Sequence, residues 1–226
     1  MSGTASRRPA RLREPAAPSL PDRLGPAALP GHGIADDAVR TALDYGGLDL
    51  SALRAEDPVV DGCRFDRTRL AGTVLLRAEV SDTEFRGADL AGARFPDGAF
   101  STTAFLRSRL TGAAWTECGL REVLFEGCKA DLASFRFSRF TRVVFRDCDL
   151  REANFQRADL RGARFEGCRL EAAQFSGASM AGTRFTGCEL HGIGGAAALK
   201  GAIVGGSDAQ SLLRVFASAL GVTVED

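Results

Sequence analysis

The sequence predicts a solenoid, a rod of stacked coils, and three observations lead there. A large apolar residue recurs at every fifth position from Phe65 to Leu190, through 26 pentads without an insertion, and only Ala130 in that column is small. Two positions before each of them the residue is nearly always small, from Cys63, Thr68 and Thr73 to Cys188, with Val123 and Val143 the largest. Neither regular element buries this pattern. A helix turns about 100° per residue, so a five-residue step scatters side chains around the cylinder. A strand alternates faces, so the same step puts consecutive bulky groups on opposite sides of a sheet. A chain that changes direction within every pentad returns each bulky residue to one axis and buries them all.

One pentad reads small, variable, bulky, variable, variable, in recurring forms such as "ADL", "ANF" and "GCRL". In this pattern residues 63–190 resemble the pentapeptide-repeat family. The resemblance implies an all-β fold, a right-handed quadrilateral parallel β-helix with four pentads per coil. Residues twenty apart then stack, and they are alike. Phe65, Phe85, Phe105, Phe125, Phe145, Phe165 and Phe185 form one expected ladder, and Leu70, Leu90, Leu110, Leu150, Leu170 and Leu190 line a neighbouring face. These are the expected structural core. At an interstrand spacing of about 4.8 Å, six and a half coils make a rod about 31 Å long. Each coil contacts only its neighbours, so the ends need covering.

Taken in order, residues 1–33 read as a disordered tail, because six of the eight prolines fall in the first 30 residues with Arg, Ala and Ser around them. Residues 34–62 read as an N-terminal cap and lead-in, with "ADDAVRTALDYGG" a short helix ending near Gly46 and Gly47. The β-helix follows over 63–190. Residues 191–226 hold a turn and a C-terminal capping helix, opening at Ser207 and Asp208 as N-cap candidates and stopping at Gly221. Ala209, Leu212, Leu213, Phe216 and Leu220 follow helical spacing, and Val215 and Ala219 widen the stripe. The stripe closes the last coil; the resemblance adds a homodimer contact through this helix, and a plain cap is the other reading.

The reactive residues point away from chemistry. Cys128, Cys148, Cys168 and Cys188 are spaced by twenty, yet all six cysteines occupy the small position of the pentad, interchangeable with Ala, Ser and Thr. Parallel inward side chains do not readily adopt disulfide geometry, and the close C-x-x-C spacing of zinc sites is missing, so buried free thiols are expected. His32 lies among prolines and His191 just past the last coil, which leaves no His-centred triad or two-His metal site. "HGIGGAAALKGA" lacks the phosphate-loop pattern. The sequence therefore predicts neither catalytic residues nor a cofactor or metal. No segment reaches membrane-spanning length or reads as a secretory signal, and the expected compartment is the cytoplasm. The Arg, Ala and Gly bias fits a GC-rich bacterial coding sequence.

Surface recognition remains, and a protein-interaction scaffold is the broad expectation. Bacterial gyrase-binding members of the family, the mycobacterial fluoroquinolone-resistance and Qnr types, imitate DNA with a strongly negative rod. The resemblance so implies topoisomerase modulation as the alternative. Between Asp61 and Leu190, however, 20 basic and 18 acidic residues leave a net +2. Direct nucleic-acid binding, which needs a basic stripe, is not expected either. Leu106, Leu124 and Val144 take outward positions on neighbouring coils, and Leu132 and Phe137 do so near an adjacent corner, which makes these five the candidate partner surface.

Overall fold

Residues twenty apart pair in parallel along the whole rod: Phe65 with Phe85, Phe105 with Phe125, Phe145 with Phe165. The computed structural model describes residues 13–223 and is a parallel β-solenoid of about nine coils. Most sides of the coil are strands of two or three residues or isolated bridges; on one edge two sides fuse into the eight-residue strands Ala99–Leu106, Gly119–Glu126 and Arg139–Arg146.

Three local devices turn the chain, the first at every corner and the other two where the residue type allows. Two residues after the bulky position the backbone turns a corner with positive φ, supplied by glycine at Gly72, Gly92 and Gly112, and by residues such as Asp57, Arg107 and Glu117 elsewhere. Just before the bulky residue, an Asp or Asn accepts a hydrogen bond from the amide two positions on, as Asp89 does from Ala91 at 3.0 Å and Asn154 from Gln156 at 3.0 Å. This Asx turn is the physical content of "ADL" and "ANF". The small position is also a donor. Thr68 Oγ1 donates to the Tyr45 carbonyl at 2.7 Å, Ser138 Oγ to Trp115 at 2.8 Å and Cys118 Sγ to Phe95 at 2.8 Å, each reaching the preceding coil. Size and a short donor together explain why Cys, Ser and Thr alternate with Ala there.

Two aromatic columns fill the square. The first runs from Tyr45 through the expected seven phenylalanines to Phe185, with centroids 4.6 to 5.0 Å apart and nearly parallel planes. The second is Phe95, Trp115, Phe135, Phe155 and Phe175 on the opposite wall. They meet edge to face, as Phe125 and Phe135 do at 5.7 Å and 80°, so both ring faces and ring edges find partners. The leucine column from Leu50 to Leu190 is buried between them.

The N-terminal third departs from expectation in two places. Residues 35–47 form no helix; they are Val39–Thr41 and Leu43–Asp44, strands of a further coil whose core residue is Tyr45. Ile34, Leu50, Ala55 and Val60 continue the core below Phe65. The expected tail is also placed where it is described: residues 13–24 form neither helix nor strand and are tied to the rod through Glu14, Ala16 and Ser19, and Gly25–Pro26 pairs with Leu43–Asp44. Residues 1–12 of that tail lie outside the described residues.

At the other end Ile203–Val204 adds a last strand on Phe185, followed by α1, Gly206–Ser211, and α2, Leu213–Ala219. Gly205 is the N-cap, two residues before Ser207 and three before Asp208, the expected candidates. The apolar stripe splits. Leu212 is buried and Val215 packs on the core, while Leu213, Phe216 and Leu220 are exposed and Ala219 faces solvent beside them. Among the described residues no helix is long and apolar enough to cross a membrane.

Candidate protein-interaction surface

The charges on the rod neutralise each other from coil to coil. Along one column the sign alternates at Asp49, Arg69, Asp89 and Arg109, repeats once at Lys129, and alternates again at Asp149, Arg169 and Glu189, each bridged to the next by backbone pairing. Arg69 meets Asp49 at 2.9 Å and Arg169 meets Asp149 at 2.7 Å. Hydrogen bonds from Arg151, aided by the charge of Arg169, hold the Asp149 carboxyl below its ordinary range. On another column Arg77 pairs with Asp57 at 2.6 Å, and on a third Arg142 pairs with Glu122. Exposed pairs of this kind add little stability. Their effect is to cancel the field, so none of these three columns offers a long single-sign stripe.

The thiols are sealed. All six cysteines are free and buried, and burial pushes Cys118 up to about 12. Cys148, Cys168 and Cys188 are raised as well, through contact with the preceding thiol in the ladder and burial, while contact with Cys148 lowers Cys128. Among the described residues no cluster of three or more His, Cys, Asp or Glu could hold a metal ion. Tyr45, raised to about 12 by burial, spends its hydroxyl on the His32 carbonyl at 2.8 Å.

The outward apolar residues fall into two sets. Leu106 and Leu124 are half-buried and share a cleft with residues 14–18, while Val144, paired to Leu124 on the next coil, is 1% exposed. The sequence placed them outward but gave no sign that the chain's own N-terminal segment lies against Leu106 and Leu124. Leu132 and Phe137 are different: they stand on adjacent corners of one coil, 54% and 39% exposed. Both have left-handed backbones, φ 60° and 62°. Bulky residues there are conformational outliers, costing about 1–2 kcal/mol each. Every other described non-glycine residue with positive φ is Asp, Glu, Arg, Ala or Thr. The Phe137 ring sits under two guanidinium groups, Arg136 at 5.1 Å and Arg157 at 5.7 Å from its centroid. Neither arginine has an ion-pair partner among the described residues. Sequence reasoning found Leu132 and Phe137 by polarity but missed the arginines, whose proximity to one ring needs the twenty-residue register.

Comparison with known proteins places the chain. The family model for the pentapeptide repeat region matches residues 118–194, and the model for eight copies of pentapeptide repeats matches residues 63–97. The chain belongs to the pentapeptide-repeat family. Solved structures similar to this pentapeptide-repeat protein include HetL of the cyanobacterium Nostoc, involved in heterocyst differentiation regulation, at 18% identity. It covers 76% of this chain and 87% of that one, with a TM-score of 0.33. Full-length QnrB1, a plasmid-mediated fluoroquinolone resistance protein, is 20% identical over 76% and 99% of the two chains, TM-score 0.34. Rfr23 of the cyanobacterium Cyanothece is 15% identical over 70% and 91%, TM-score 0.31. No curated protein sequence matches this pentapeptide-repeat protein.

Proposed function

We propose that this pentapeptide-repeat protein is a non-enzymatic, cytoplasmic interaction scaffold that meets a protein partner at the Leu132 and Phe137 corners. The observation that carries this reading is the double cost these residues bear. The fold accepts glycine at the corner, as Gly112 and Gly92 show, so neither the left-handed backbone nor the exposed side chain serves the rod. Costs of this kind concentrate where a surface is used. Arg136 and Arg157, unpaired and stacked on the ring, fit a partner that is apolar at its centre and acidic at its rim.

The test replaces both corner residues by glycine and installs a photo-crosslinking residue in the native host at position 117, the exposed corner one coil before Phe137. The scaffold reading expects the double variant to be at least as stable as the parent and to lose the adduct the parent forms; an adduct retained at full yield by the variant removes the reading. Modulation of a topoisomerase through DNA mimicry asks for a continuous acidic face, and the alternating columns favour the scaffold instead. A supercoiling assay with purified gyrase measures that alternative directly: inhibition at micromolar protein revives it. We also propose that Leu213, Phe216 and Leu220 pair two copies into a homodimer.

A further inference from the structure

Residues 13–22 cross the rod against the coil direction. Glu14 lies between Arg146 at 3.0 Å and Arg164 at 2.8 Å. The Ala16 amide donates to Glu122 at 3.0 Å, the Ser19 amide to Asp82 at 2.9 Å, and the Pro21 ring packs where Gly62 leaves room. Pro15 and Pro18 are half-buried while Ala16 and Ala17 are exposed, and Pro21 keeps the spacing of three. Three residues per turn is the polyproline II repeat, which puts Pro15 and Pro18 on one face. Beneath them is an apolar bed of Ala104, Leu106 and Leu124, with a cleft of about 320 Å³ still open.

How the segment is held sets it apart from the rest of the chain. Among the described residues, none from 13 to 24 makes a backbone-to-backbone hydrogen bond; the first is from Gly25 to Ala42. Its two anchored amides reach side-chain carboxylates, and its one ionic clamp is backed up. Without Glu14, Arg146 still has Glu166 at 2.9 Å and Glu126 at 3.5 Å, and Arg164 still has Glu166 at 3.5 Å. Glu122 keeps Arg142. Removing the segment would leave each of these charges an ion-pair partner and would uncover an apolar patch of Ala104, Leu106 and Leu124. The segment is bound as a ligand is bound, on a site complete without it.

We propose that the Ala104–Leu106–Leu124 groove is a peptide-docking site and that residues 14–21 are its tethered internal ligand, displaced by a partner segment of the same chemistry. That chemistry is an acidic residue followed by proline, two small residues and a second proline in an extended run. The residues at the second and fifth places after the acid must not be proline, because Glu122 and Asp82 each take an amide proton there. The proposal deepens the scaffold reading by naming a second contact surface and its ligand. Its test needs neither the Leu132 and Phe137 corner nor a host protein, so failure here leaves that reading standing.

The test uses the full chain and a fluorescent peptide of residues 13–22. A tethered ligand competes at an effective concentration in the millimolar range, so the intact protein resists an added peptide. Glu14→Arg in the full chain repels the internal segment from Arg146 and Arg164. The Glu14 side chain is 56% exposed, so the change leaves the rod folded. Fluorescence anisotropy is expected to show the peptide binding this variant at least tenfold more tightly than the parent. Peptides carrying Glu14→Ala or Ala16→Pro are expected to bind at least fivefold more weakly. No binding to the variant, equal binding to variant and parent, or equal binding of the three peptides overturns the proposal. Hydrogen exchange of the parent is the second measurement: the Ala16 and Ser19 amides are expected to exchange at least a hundredfold faster than those of Phe125 and Phe145. Equal protection would mean the segment does not open, which also overturns it.

Discussion

Replacing Phe145 by alanine tests the geometry on which every other inference rests. The ring is fully buried and stacked between Phe125 at 4.6 Å and Phe165 at 5.0 Å, with Phe135 and Phe155 edge-on at 5.4 and 5.9 Å. Losing the buried apolar area costs roughly 2 to 3 kcal/mol at about 25 cal/mol per Å². Four ring contacts at about 0.5 to 1.5 kcal/mol each add to this, with overlap. The neighbouring coils are fixed by their own backbone ladder and cannot collapse into the space, so the cost belongs near the top of the usual range, about 5 kcal/mol. Phe185, with one stacked neighbour at 5.0 Å and one edge contact at 6.2 Å, is expected to lose about 3 kcal/mol. Phe137→Ala on the surface stays within about 0.5 kcal/mol. Equilibrium denaturation followed through Trp115, the single tryptophan, ranks the three variants. Equal midpoints for Phe145→Ala and Phe137→Ala would refute the stacked column, and with it the twenty-residue register.

Three further outcomes are expected. In the native protein at pH 8 a thiol reagent labels none of the six cysteines within an hour, and all six after unfolding; labelling of the native form at more than one site would contradict the sealed ladder. Leu213→Asp with Phe216→Asp lowers the mass seen by sedimentation from dimer to monomer without changing the melting temperature by more than a few degrees, and a parent already monomeric at 100 micromolar removes the helix contact. Burial raises the Glu14 carboxyl, but the bonds to Arg164 and Arg146 outweigh it and hold it below its ordinary value of 4.5. Burial likewise raises Glu122, and the Ala16 amide and Arg142 bring it below. Depressed acids stabilise fully above their unfolded value and lose that contribution as pH falls through the folded one. The amide signal of Ala16 is therefore expected to hold from pH 7 to about 4.5 and to shift toward the free-peptide position below that; a shift centred near pH 6 would show that other groups hold the segment.

What the sequence revealed depended on how uniform each column is. From Phe65 to Leu190 bulky and small positions keep their sizes, so the coil can be read directly. Below Phe65 they exchange: Leu43, Leu48 and Leu53 stand at the small position and Ala55 at the bulky one, while Val39, Ala42 and Leu43 imitate helical spacing. Pairing to the coil above overrides that local resemblance, as Val39 on Val59 and Asp44 on Arg64 show. The N-terminal segment has no periodic core signal, and its ties reach up to 150 residues away, from Glu14 to Arg164. Prolines spaced by three were visible, but composition was the stronger cue and pointed to disorder. The corner residues Leu132 and Phe137 were legible as outward apolar groups; their backbone strain was not, because φ is set by the turn and not by the residue.

The alternating column from Asp49 to Arg109 has a consequence for how the chain threads itself during synthesis. Phenylalanine and leucine ladders look the same at every level, so an intermediate that loops out one whole coil still stacks ring on ring. It would, however, lay Asp49 against Asp89, or Arg69 against Arg109, depending on which coil is skipped. The repeating core is blind to such a skip, and the sign pattern outside it is what tells one level from the next.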